Sequence, residues 1–259
     1  MDGTIYLDNS LFPGCLELLD YVRSVGGRSV FVTNNSSKNV SGYLKKLRGL
    51  GINAAEDDFM TSIHATGLYL QQTHREGKIY VLGTRALFEA LHLEYHLPVT
   101  QNLEGGITCL TLGFDTELTF RKLEDACRLL QNASLTYLAT NPDLVCPVSF
   151  GYVPDCGSIA QALFNATKRR PKVIGKPEAT MALLALKKYG FSREEALMIG
   201  DRIYTDIACG VNAGISSLLV LSGESTMQTV AESNIKPDIV LPDIQTLYKI
   251  LTEKNDNPV

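Results

Sequence analysis

Strand-like and helix-like segments alternate along this 259-residue chain, and the alternation restricts its possible folds more than any other feature. Short apolar segments such as residues 29–32 and 196–199 are followed by polar clusters and then by residues with apolar positions at helical spacing. Strands that alternate with helices are typical of a parallel sheet, because parallel neighbours need long crossover connections. The sequence therefore predicts an α/β fold built on a parallel sheet.

The predicted elements fall into two end regions and a middle region. Those of the end regions are helices over 15–25, 41–50, 178–189, 207–213 and 243–253 and strands over 29–32, 196–199, 217–221 and 237–241. Those of the middle region are strands over 79–82, 107–112 and 135–139 and helices over 85–91, 120–131 and 158–167. A chain of this length suits a core plus an inserted module. We predict a core over 1–75 and 172–259 and an α/β insert over 76–171.

Composition indicates which binding partners and which cellular compartment to expect. A net charge of -4 argues against an extended nucleic-acid surface, which needs clustered Lys and Arg. The 6 cysteines are scattered without a Cys-x-x-Cys pair, a pattern typical of reduced thiols. No apolar run approaches the roughly 20 residues that cross a bilayer, and the N-terminus does not have the pattern of a signal peptide. We expect a soluble cytoplasmic protein that binds neither membranes nor nucleic acids.

Polar clusters adjoin several predicted strand ends, where open α/β sheets bind their ligands. Thr33, Asn34 and Asn35 directly follow the strand over 29–32, so that hydroxyl, amide and main-chain N–H groups can gather on an anion. Asp2 precedes a glycine and is suited to protonate a leaving oxygen and then activate water. Taken alone, the first cluster also fits an ordinary turn or helix cap, and Asp-Gly-Thr also fits a turn.

Two further clusters lie in the C-terminal region. Lys176 stands in Gly-Lys-Pro before a predicted helix, and Asp201 and Asp206 follow the strand over 196–199. Carboxylates suit Mg²⁺, which typically uses one or two of them and keeps several waters. Phosphoryl transfer needs such a metal, donors for the phosphoryl oxygens and an acid for the leaving group. The structural alternatives are a solvated lysine and helix capping by Thr205 and Asp206.

Together these motifs resemble the haloacid dehalogenase-like (HAD) phosphatase superfamily, specifically the branch that contains NagD and the p-nitrophenyl phosphatases. The matching motifs are Asp-Gly-Thr-Ile-Tyr (2–6), Val-Thr-Asn-Asn (32–35), Ala-Thr-Asn-Pro-Asp (139–143), Pro-Asp-Cys-Gly-Ser-Ile (154–159), Gly-Lys-Pro (175–177) and Gly-Asp-x-x-x-Thr-Asp-Ile (200–207). The resemblance covers nearly the whole chain. It implies a Rossmann-like parallel-sheet HAD core with an inserted α/β cap domain.

The resemblance also implies a role for each cluster in a Mg²⁺-dependent phosphatase. Asp2 would be the general acid and base and would offer its main-chain carbonyl to Mg²⁺. Asp201 would bind the metal directly, and Asp206 would bind it or support a ligand. The transferring phosphoryl group would be bound by Thr33, Asn34, Asn35 and Lys176. Lys176 would also neutralise the nucleophile.

The family pattern Asp-x-Asp-Gly-Thr places its nucleophilic aspartate two residues before Asp2, which is upstream of Met1. This aspartate would attack phosphorus and form an aspartyl-phosphate. We therefore expect the natural protein to have upstream residues, which would also complete the first strand of the sheet. If Met1 is the true start, the alternative is a catalytically silent protein of the same fold that binds phosphate ligands or partners.

The inserted cap would close over the site, exclude water and contact the leaving group. Candidates for that contact are Asn141, Asp143, Asp155, Cys156 and Ser158. The structural alternative for them is a tight turn and a helix cap. The expected substrates are small phosphorylated molecules such as sugar phosphates, nucleotides or aryl phosphates. The resemblance further suggests a homodimer joined through the cap.

Other enzyme classes fit the sequence less well. A dehalogenase or a phosphomutase would need the same upstream carboxylate, and the large cap disfavours both by resemblance. A dinucleotide-dependent oxidoreductase would need a Gly-x-Gly-x-x-Gly after a strand, and the sequence has none. Cysteine catalysis by Cys156 has no evident histidine partner in the sequence.

Overall fold

The computed structural model describes residues 1–36, 40–148 and 150–253 and has the predicted mixed α/β architecture. The strands in chain order are β1 (Tyr6–Leu7), β2 (Ser10–Leu11), β3 (Phe31–Thr33), β4 (Phe59–Thr61), β5 (Lys78–Leu82), β6 (Val99–Thr100), β7 (Ile107–Leu112), β8 (Thr136–Ala139), β9 (Val145–Val148), β10 (Gly151–Pro154), β11 (Lys172–Val173), β12 (Leu197–Gly200), β13 (Ser216–Val220) and β14 (Ile239–Leu241). The α-helices are α1 (Cys15–Ser24), α2 (Val40–Gly49), α3 (Ser62–Thr73), α4 (Arg85–Glu89), α5 (Phe120–Leu129), α6 (Cys156–Thr167), α7 (Ala179–Tyr189), α8 (Ala208–Ala213), α9 (Met227–Glu232) and α10 (Ile244–Glu253). A 3₁₀ turn (Glu56–Asp58) and two π-helical turns (Ala90–Glu94 and Ile203–Ile207) complete these elements.

The chain divides into two compact units. The first comprises the described residues of Met1–Val32, Val40–Met60 and Pro177–Val259, and the second comprises those of Thr33–Asn39 and Thr61–Lys176. Residues 76–171 lie wholly within the second unit. The exact boundaries of the expected core and cap stay predictions.

The first unit is built on a parallel sheet of β12, β13 and β14. Leu218 and Val220 of β13 lie in one buried cluster with residues of α1, α2 and α10, whereas Leu219 packs with the π-helical turn at 203–207. The middle strand is therefore covered on both faces. This explains why residues 218–220 of this strand are all apolar instead of alternating with polar residues.

The second unit contains a five-stranded parallel sheet in the order β11, β8, β7, β5, β6. Leu82 is in register with Leu112, and Leu112 with Ala139, so these strands end at the same edge. Helices α5 and α6 contribute Ala126 and Leu163 to the core on one face of the sheet. The polar segments that follow these strands consequently leave the sheet side by side.

Most predicted elements are present, with shifts at their ends. Helix α7 ends at Gly190, whose φ of 76° is a left-handed cap conformation, as the glycine there predicted. The helix predicted over 85–91 is α-helical to Glu89 and then continues as a π-helical turn. The helix predicted from Ile207 is preceded by a π-helical turn from Ile203, which contains both Thr205 and Asp206. These two residues therefore lie within a turn instead of at the helix cap.

Sequence patterns did not predict α3 or the hairpin of β9 and β10. Helix α3 contains threonine, histidine and glycine, which have low helix propensity, and its buried face consists partly of small residues such as Ala65 and Gly67. A cap bond from the His64 main-chain N–H to the Thr61 hydroxyl begins this helix. The hairpin includes Pro147 and Pro154, which usually argue against strands.

Two general features agree with the sequence. All six cysteines lie in the described part of the chain, and the structure there forms no disulfide between them. No helix within the described ranges is long and apolar enough to span a bilayer.

Candidate active site

Three aspartates of the first unit adjoin the end of β12, and we call them the carboxylate cluster: Asp201 and Asp206 follow this strand, and Asp2 lies in the turn that packs on Asp201. Among the described residues, their three side chains do not form one set of metal ligands. Asp201 directly follows β12, and only 4% of its surface is exposed. The hydroxyl of Thr4 donates to Asp201 Oδ1 at 3.0 Å, and the main-chain N–H of Glu224 donates to Asp201 Oδ2 at 3.0 Å. Donors from two distant segments therefore orient this carboxylate.

The turn at Asp2 packs closely against Asp201. Gly3 has a φ of 77°, and its main-chain N–H donates to the Tyr6 carbonyl at 2.8 Å. A Cβ on Gly3 would overlap the Asp201 carboxylate. The Ser222 hydroxyl donates to the Gly3 carbonyl at 2.8 Å and holds the turn from a third segment. Glycine is needed here both for the backbone conformation and for the close approach.

Asp206 is buried in the π-helical turn that follows β12. The main-chain N–H of Arg202 donates to its Oδ2 at 3.3 Å. The side chain of Arg202 instead forms an ion pair with Glu224 at 2.9 Å. Arg202, the basic residue nearest to this cluster in sequence, thus forms its ion pair with Glu224.

The donor set of the carboxylate cluster fits a hard divalent cation. A carboxylate has about four lone-pair positions, and the two bonds to Asp201 leave acceptor capacity on it. Across the described ranges, no three His, Cys, Asp or Glu side chains are grouped so that they could hold a metal. Mg²⁺ in proteins is typically coordinated by one or two carboxylates, with other oxygen ligands and water filling the remaining positions. Zn²⁺ instead favours nitrogen and sulfur ligands.

The second unit contains a group that we call the asparagine–lysine cluster, formed by Asn34, Asn141, Asp143 and Lys176. The Asn34 side chain pairs with the main chain of Lys176 in both directions: its Nδ2 donates to the Lys176 carbonyl at 2.8 Å, and its Oδ1 accepts from the Lys176 N–H at 2.8 Å. The Asn34 Nδ2 also donates to Asp143 Oδ2 at 3.1 Å. Asn34 and Lys176 are both buried.

Sheet topology explains why Asn141 and Lys176 lie close together. Strands β8 and β11 are parallel neighbours, with Ala139 in register with Val173. The pairing continues beyond both strands, because the Gly175 N–H donates to the Thr140 carbonyl at 2.9 Å. The residues that follow these two strands therefore leave the same edge in adjacent positions.

The loop after β3 is held by buried hydroxyl and amide groups. The Asn34 carbonyl accepts from the Ser62 hydroxyl at 2.6 Å and from Asn141 Nδ2 at 2.9 Å. The Ser36 hydroxyl accepts from the Phe114 N–H and from the Thr140 hydroxyl, both at 2.9 Å. Within the same loop, the Asn35 N–H donates to the Thr33 hydroxyl at 3.4 Å.

The expected cap residues lie around the start of α6. Asp155 is its N-cap residue, and the Asp143 main-chain N–H donates to Asn141 Oδ1 at 3.0 Å in a local turn. Burial is the main cause that raises the pKa of Asp155 from 3.8 to about 6, and the charge of Asp143 adds to it. Burial also raises the pKa of the Cys156 thiol to about 12, which disfavours the thiolate that a cysteine nucleophile needs. The Ser158 hydroxyl bonds the Leu144 carbonyl.

Each unit thus brings together residues that are far apart in sequence. Sequence reasoning missed the groups that orient the predicted ones, namely Thr4, Ser36, Ser62, Thr140, Ser222 and Glu224. A signal existed for Thr4 and Thr140, which lie within the recognised motifs over 2–6 and 139–143, and for Ser36, which directly follows the motif over 32–35. Ser62 belongs to the helix that was not predicted, so its position had no signal. That the two clusters act on one phosphate stays a prediction.

Comparison with known proteins assigns the class. A model of haloacid dehalogenase-like hydrolases matches residues 1–94, and a second HAD-hydrolase-like model matches residues 173–247. An acid sugar phosphatase of Staphylococcus aureus (strain MRSA252) is 33% identical over 244 residues, which cover 94% of this chain and 93% of that protein.

Two solved structures are also similar. The 4-nitrophenylphosphatase from Thermotoga maritima superposes with a TM-score of 0.87 at 39% identity, covering 96% of this chain and 94% of that one. A glycerol phosphate phosphatase from Mycobacterium tuberculosis in complex with magnesium has a TM-score of 0.87 at 28% identity, covering 95% of this chain and 74% of that one.

The parallel α/β fold, the buried carboxylates after β12 and these similarities define one class: the chain belongs to the haloacid dehalogenase-like hydrolases. Within that class it is NagD-like, in the branch of the p-nitrophenyl phosphatases, and it is a phosphatase. The expectation from the sequence motifs is confirmed.

Proposed function

We propose that this phosphatase hydrolyses small phosphomonoesters with the help of Mg²⁺ and through an aspartyl-phosphate. The observation that supports the proposal most directly is the buried Asp201 carboxylate, oriented by Thr4 and Glu224 directly beside the turn that contains Asp2. The donor set there suits Mg²⁺. The similar glycerol phosphate phosphatase forms complexes with magnesium and with calcium, which supports a hard divalent cation here.

In the proposed reaction, Asp201 and Asp206 would hold the cation, together with the main-chain carbonyl of Asp2. When bound, Mg²⁺ supplies positive charge that stabilises the phosphoryl oxygens. The Asp2 carboxyl protonates the leaving oxygen and then takes a proton from the attacking water. Its exposed position allows this exchange with solvent.

The phosphoryl group is held by Thr33, Asn35 and Lys176. Asn34, which the family pattern also implies for this task, bonds the main chain of Lys176. Lys176 is a buried residue, and its ammonium group offsets the negative charge of both the nucleophile and the phosphate. The nucleophile is an aspartate two residues before Asp2, as the family pattern implies. Attack by its carboxylate on phosphorus releases the alcohol, and water then breaks the acyl-phosphate bond.

The activities for which the relatives are named support the proposed substrate class. A 4-nitrophenylphosphatase, an acid sugar phosphatase and a glycerol phosphate phosphatase favour aryl, sugar and polyol phosphates, with nucleotides as a further group. We further propose that residues 76–171 act as a cap that selects among them, with Asn141, Asp143, Asp155, Cys156 and Ser158 nearest the leaving group. A cap-joined homodimer in the cytoplasm is part of this proposal.

Hydrolysis of p-nitrophenyl phosphate tests the mechanism. The 259-residue chain is compared with a chain extended at its N-terminus so that Asp stands two residues before Asp2, each with Mg²⁺ and with chelator. We expect activity from the extended chain with Mg²⁺ alone, and a loss of several powers of ten when the added Asp is replaced by Asn. Equal activity of the two chains would refute the upstream nucleophile. A panel of phosphorylated metabolites then ranks substrates by kcat/KM.

A further inference from the structure

The side chain of Asn34 is occupied by protein groups, which suggests a role different from direct phosphate binding. We propose that Asn34 is a positioning residue that fixes the main chain at Lys176 and affects the phosphoryl group through that lysine. This inference rests on the proposed function, in which Lys176 neutralises the transferring phosphate. Within one motif, Asn34 then positions Lys176, whereas Thr33 and Asn35 contact the phosphoryl group.

The paired bonds between Asn34 and Lys176 determine both position and orientation. One bond runs from the Asn34 amide to the Lys176 carbonyl and the other from the Lys176 N–H back to the Asn34 amide oxygen, each at 2.8 Å. Two antiparallel bonds between planar groups restrict rotation as well as distance, as in the pairing of adjacent strands. Because Asn34 is only 9% exposed, water cannot readily replace these bonds.

The remaining donor of the Asn34 amide is directed at a carboxylate. Its Nδ2 carries two hydrogens, one for the Lys176 carbonyl and one for Asp143 Oδ2 at 3.1 Å. A phosphate oxygen at this nitrogen would have to displace one of these acceptors. It would also meet the negative charge of Asp143, which disfavours a second anion there.

Asn34 can hold the main chain of Lys176 in place because its own main chain is held by hydrogen bonds. Its carbonyl accepts from Ser62 at 2.6 Å and from Asn141 at 2.9 Å, and both of these side chains are fully buried. Movement of the Lys176 main chain relative to the loop after β3 would therefore break several buried bonds.

Lys176 needs such a support because its ammonium lies at the end of a flexible four-carbon chain. The direction of that chain at the Cα decides where the charge can reach. Displacement of a catalytic group by about 1 Å can lower a rate about 100-fold. Restraining the main chain of the lysine is therefore an effective way to place its charge.

A double-mutant cycle tests the proposal. Asn34→Ala, Lys176→Ala and the double variant are compared by kcat/KM for p-nitrophenyl phosphate with Mg²⁺ in the extended chain. We expect Asn34→Ala to lower kcat/KM about 10- to 100-fold in the parent but less than about 2-fold in the Lys176→Ala background. Additive losses would show that Asn34 contacts the phosphate independently and would overturn the proposal.

Two further variants separate positioning from loss of folding. Ser62→Ala removes a bond to the Asn34 carbonyl and leaves the Asn34 amide intact; its loss of kcat/KM should also vanish in the Lys176→Ala background. Asn212→Ala is the matched control. It removes an asparagine bond to the carbonyl of the next residue, Pro177, at 2.9 Å, and should change kcat/KM less than about 2-fold. A loss in the Ser62 variant that persists without Lys176 would contradict the proposal.

Binding of inorganic phosphate with Mg²⁺ gives a readout independent of turnover. In the 259-residue chain we expect Asn34→Ala and Lys176→Ala to weaken phosphate by similar factors and the double variant to weaken it no further. Failure of the parent both to bind phosphate and to hydrolyse any phosphomonoester would refute the proposed function itself. An active parent with additive variants would refute the positioning role alone.

Discussion

The orientation of the Asp201 carboxylate depends on two individual hydrogen bonds. Its two carboxylate oxygens accept one hydrogen bond each, from Thr4 and from the Glu224 main chain. A carboxylate held in this way keeps its remaining lone pairs in a defined direction, which a cation with strict octahedral preference requires. Thr4 is therefore as important for the proposed metal site as the acidic residues.

Replacing Thr4 by valine should confirm this role. Thr4→Val keeps the side-chain shape but leaves Asp201 Oδ1 without its donor, so we expect the free energy of unfolding to fall by about 1–3 kcal/mol. The Mg²⁺ concentration for half-maximal phosphatase activity should rise about 10- to 100-fold. Thr4→Ser keeps the hydroxyl and is the control. Unchanged Mg²⁺ dependence in the valine variant would argue against Asp201 as a ligand.

Asp155 makes stability depend on pH. Its pKa is raised from 3.8 to about 6, mainly by burial, so folding favours the protonated form. This contribution to stability is fully present below about pH 4 and is lost as pH rises through about 6. At pH 7.5, Asp155→Asn should be more stable than the parent by about 2–3 kcal/mol, because Asn can still cap α6 but does not ionise.

Urea unfolding at several pH values checks this expectation. The difference in unfolding free energy between Asp155→Asn and the parent should shrink steadily from pH 7.5 to pH 4. A difference that does not change with pH would mean that Asp155 titrates normally in the folded protein.

At the scale of elements, the turns after the strands determine where the functional groups lie. Gly200 ends β12 and lies so close to Asp206 that an added Cβ would overlap the Asp206 side chain. Gly42 lies within α2, and the space around it is open. The two glycines therefore serve different purposes: the first permits a close approach, and the second only weakens a helix.

Alanine substitution at these glycines should have opposite effects. Gly200→Ala should push Asp206 away and lower both stability and phosphatase activity, with a loss of about 1–3 kcal/mol typical of overpacking. Gly42→Ala should stabilise the protein by about 0.5–1 kcal/mol with unchanged activity, because alanine is the better helix former. Thermal unfolding and kcat/KM of both variants provide the measurement. Equal stability of the two variants would contradict the close approach.

At the scale of the whole molecule, metal binding should be linked to folding. The proposed site combines residues from both ends of the sequence, since Asp2 and Asp201 are 199 positions apart. The unfolded chain cannot present them together, so Mg²⁺ bound at the proposed site should favour the folded state and shift the equilibrium towards it.

Thermal unfolding with and without Mg²⁺ tests this linkage. At a concentration about 100 times the dissociation constant, Mg²⁺ should add about 2.7 kcal/mol to the free energy of unfolding. A chelator should remove this gain, and Asp201→Asn should show none of it. A gain that persists in Asp201→Asn would place the metal elsewhere.

The sequence predicted most of the architecture because parallel strands and their helices have strong local patterns. The segment over 107–112 was predicted with the same ends that β7 has, since a run of β-branched and apolar residues is characteristic of a strand. Helix α3 was missed, because its packing of small residues such as Gly67 against Tyr95 depends on a neighbour that is distant in sequence. Local propensity has no information about such a partner.

By itself, the sequence determined the class of fold, the family and the residue types available for phosphoryl transfer, because periodicity and short motifs are local properties. The tertiary structure decided which groups orient those residues: Thr4 and Glu224 at Asp201, and Asn34 at the main chain of Lys176. These bonds join positions up to 197 residues apart. The physical reason is that hydrogen-bond partners are selected by strand register and close packing, which exist only after the chain has folded.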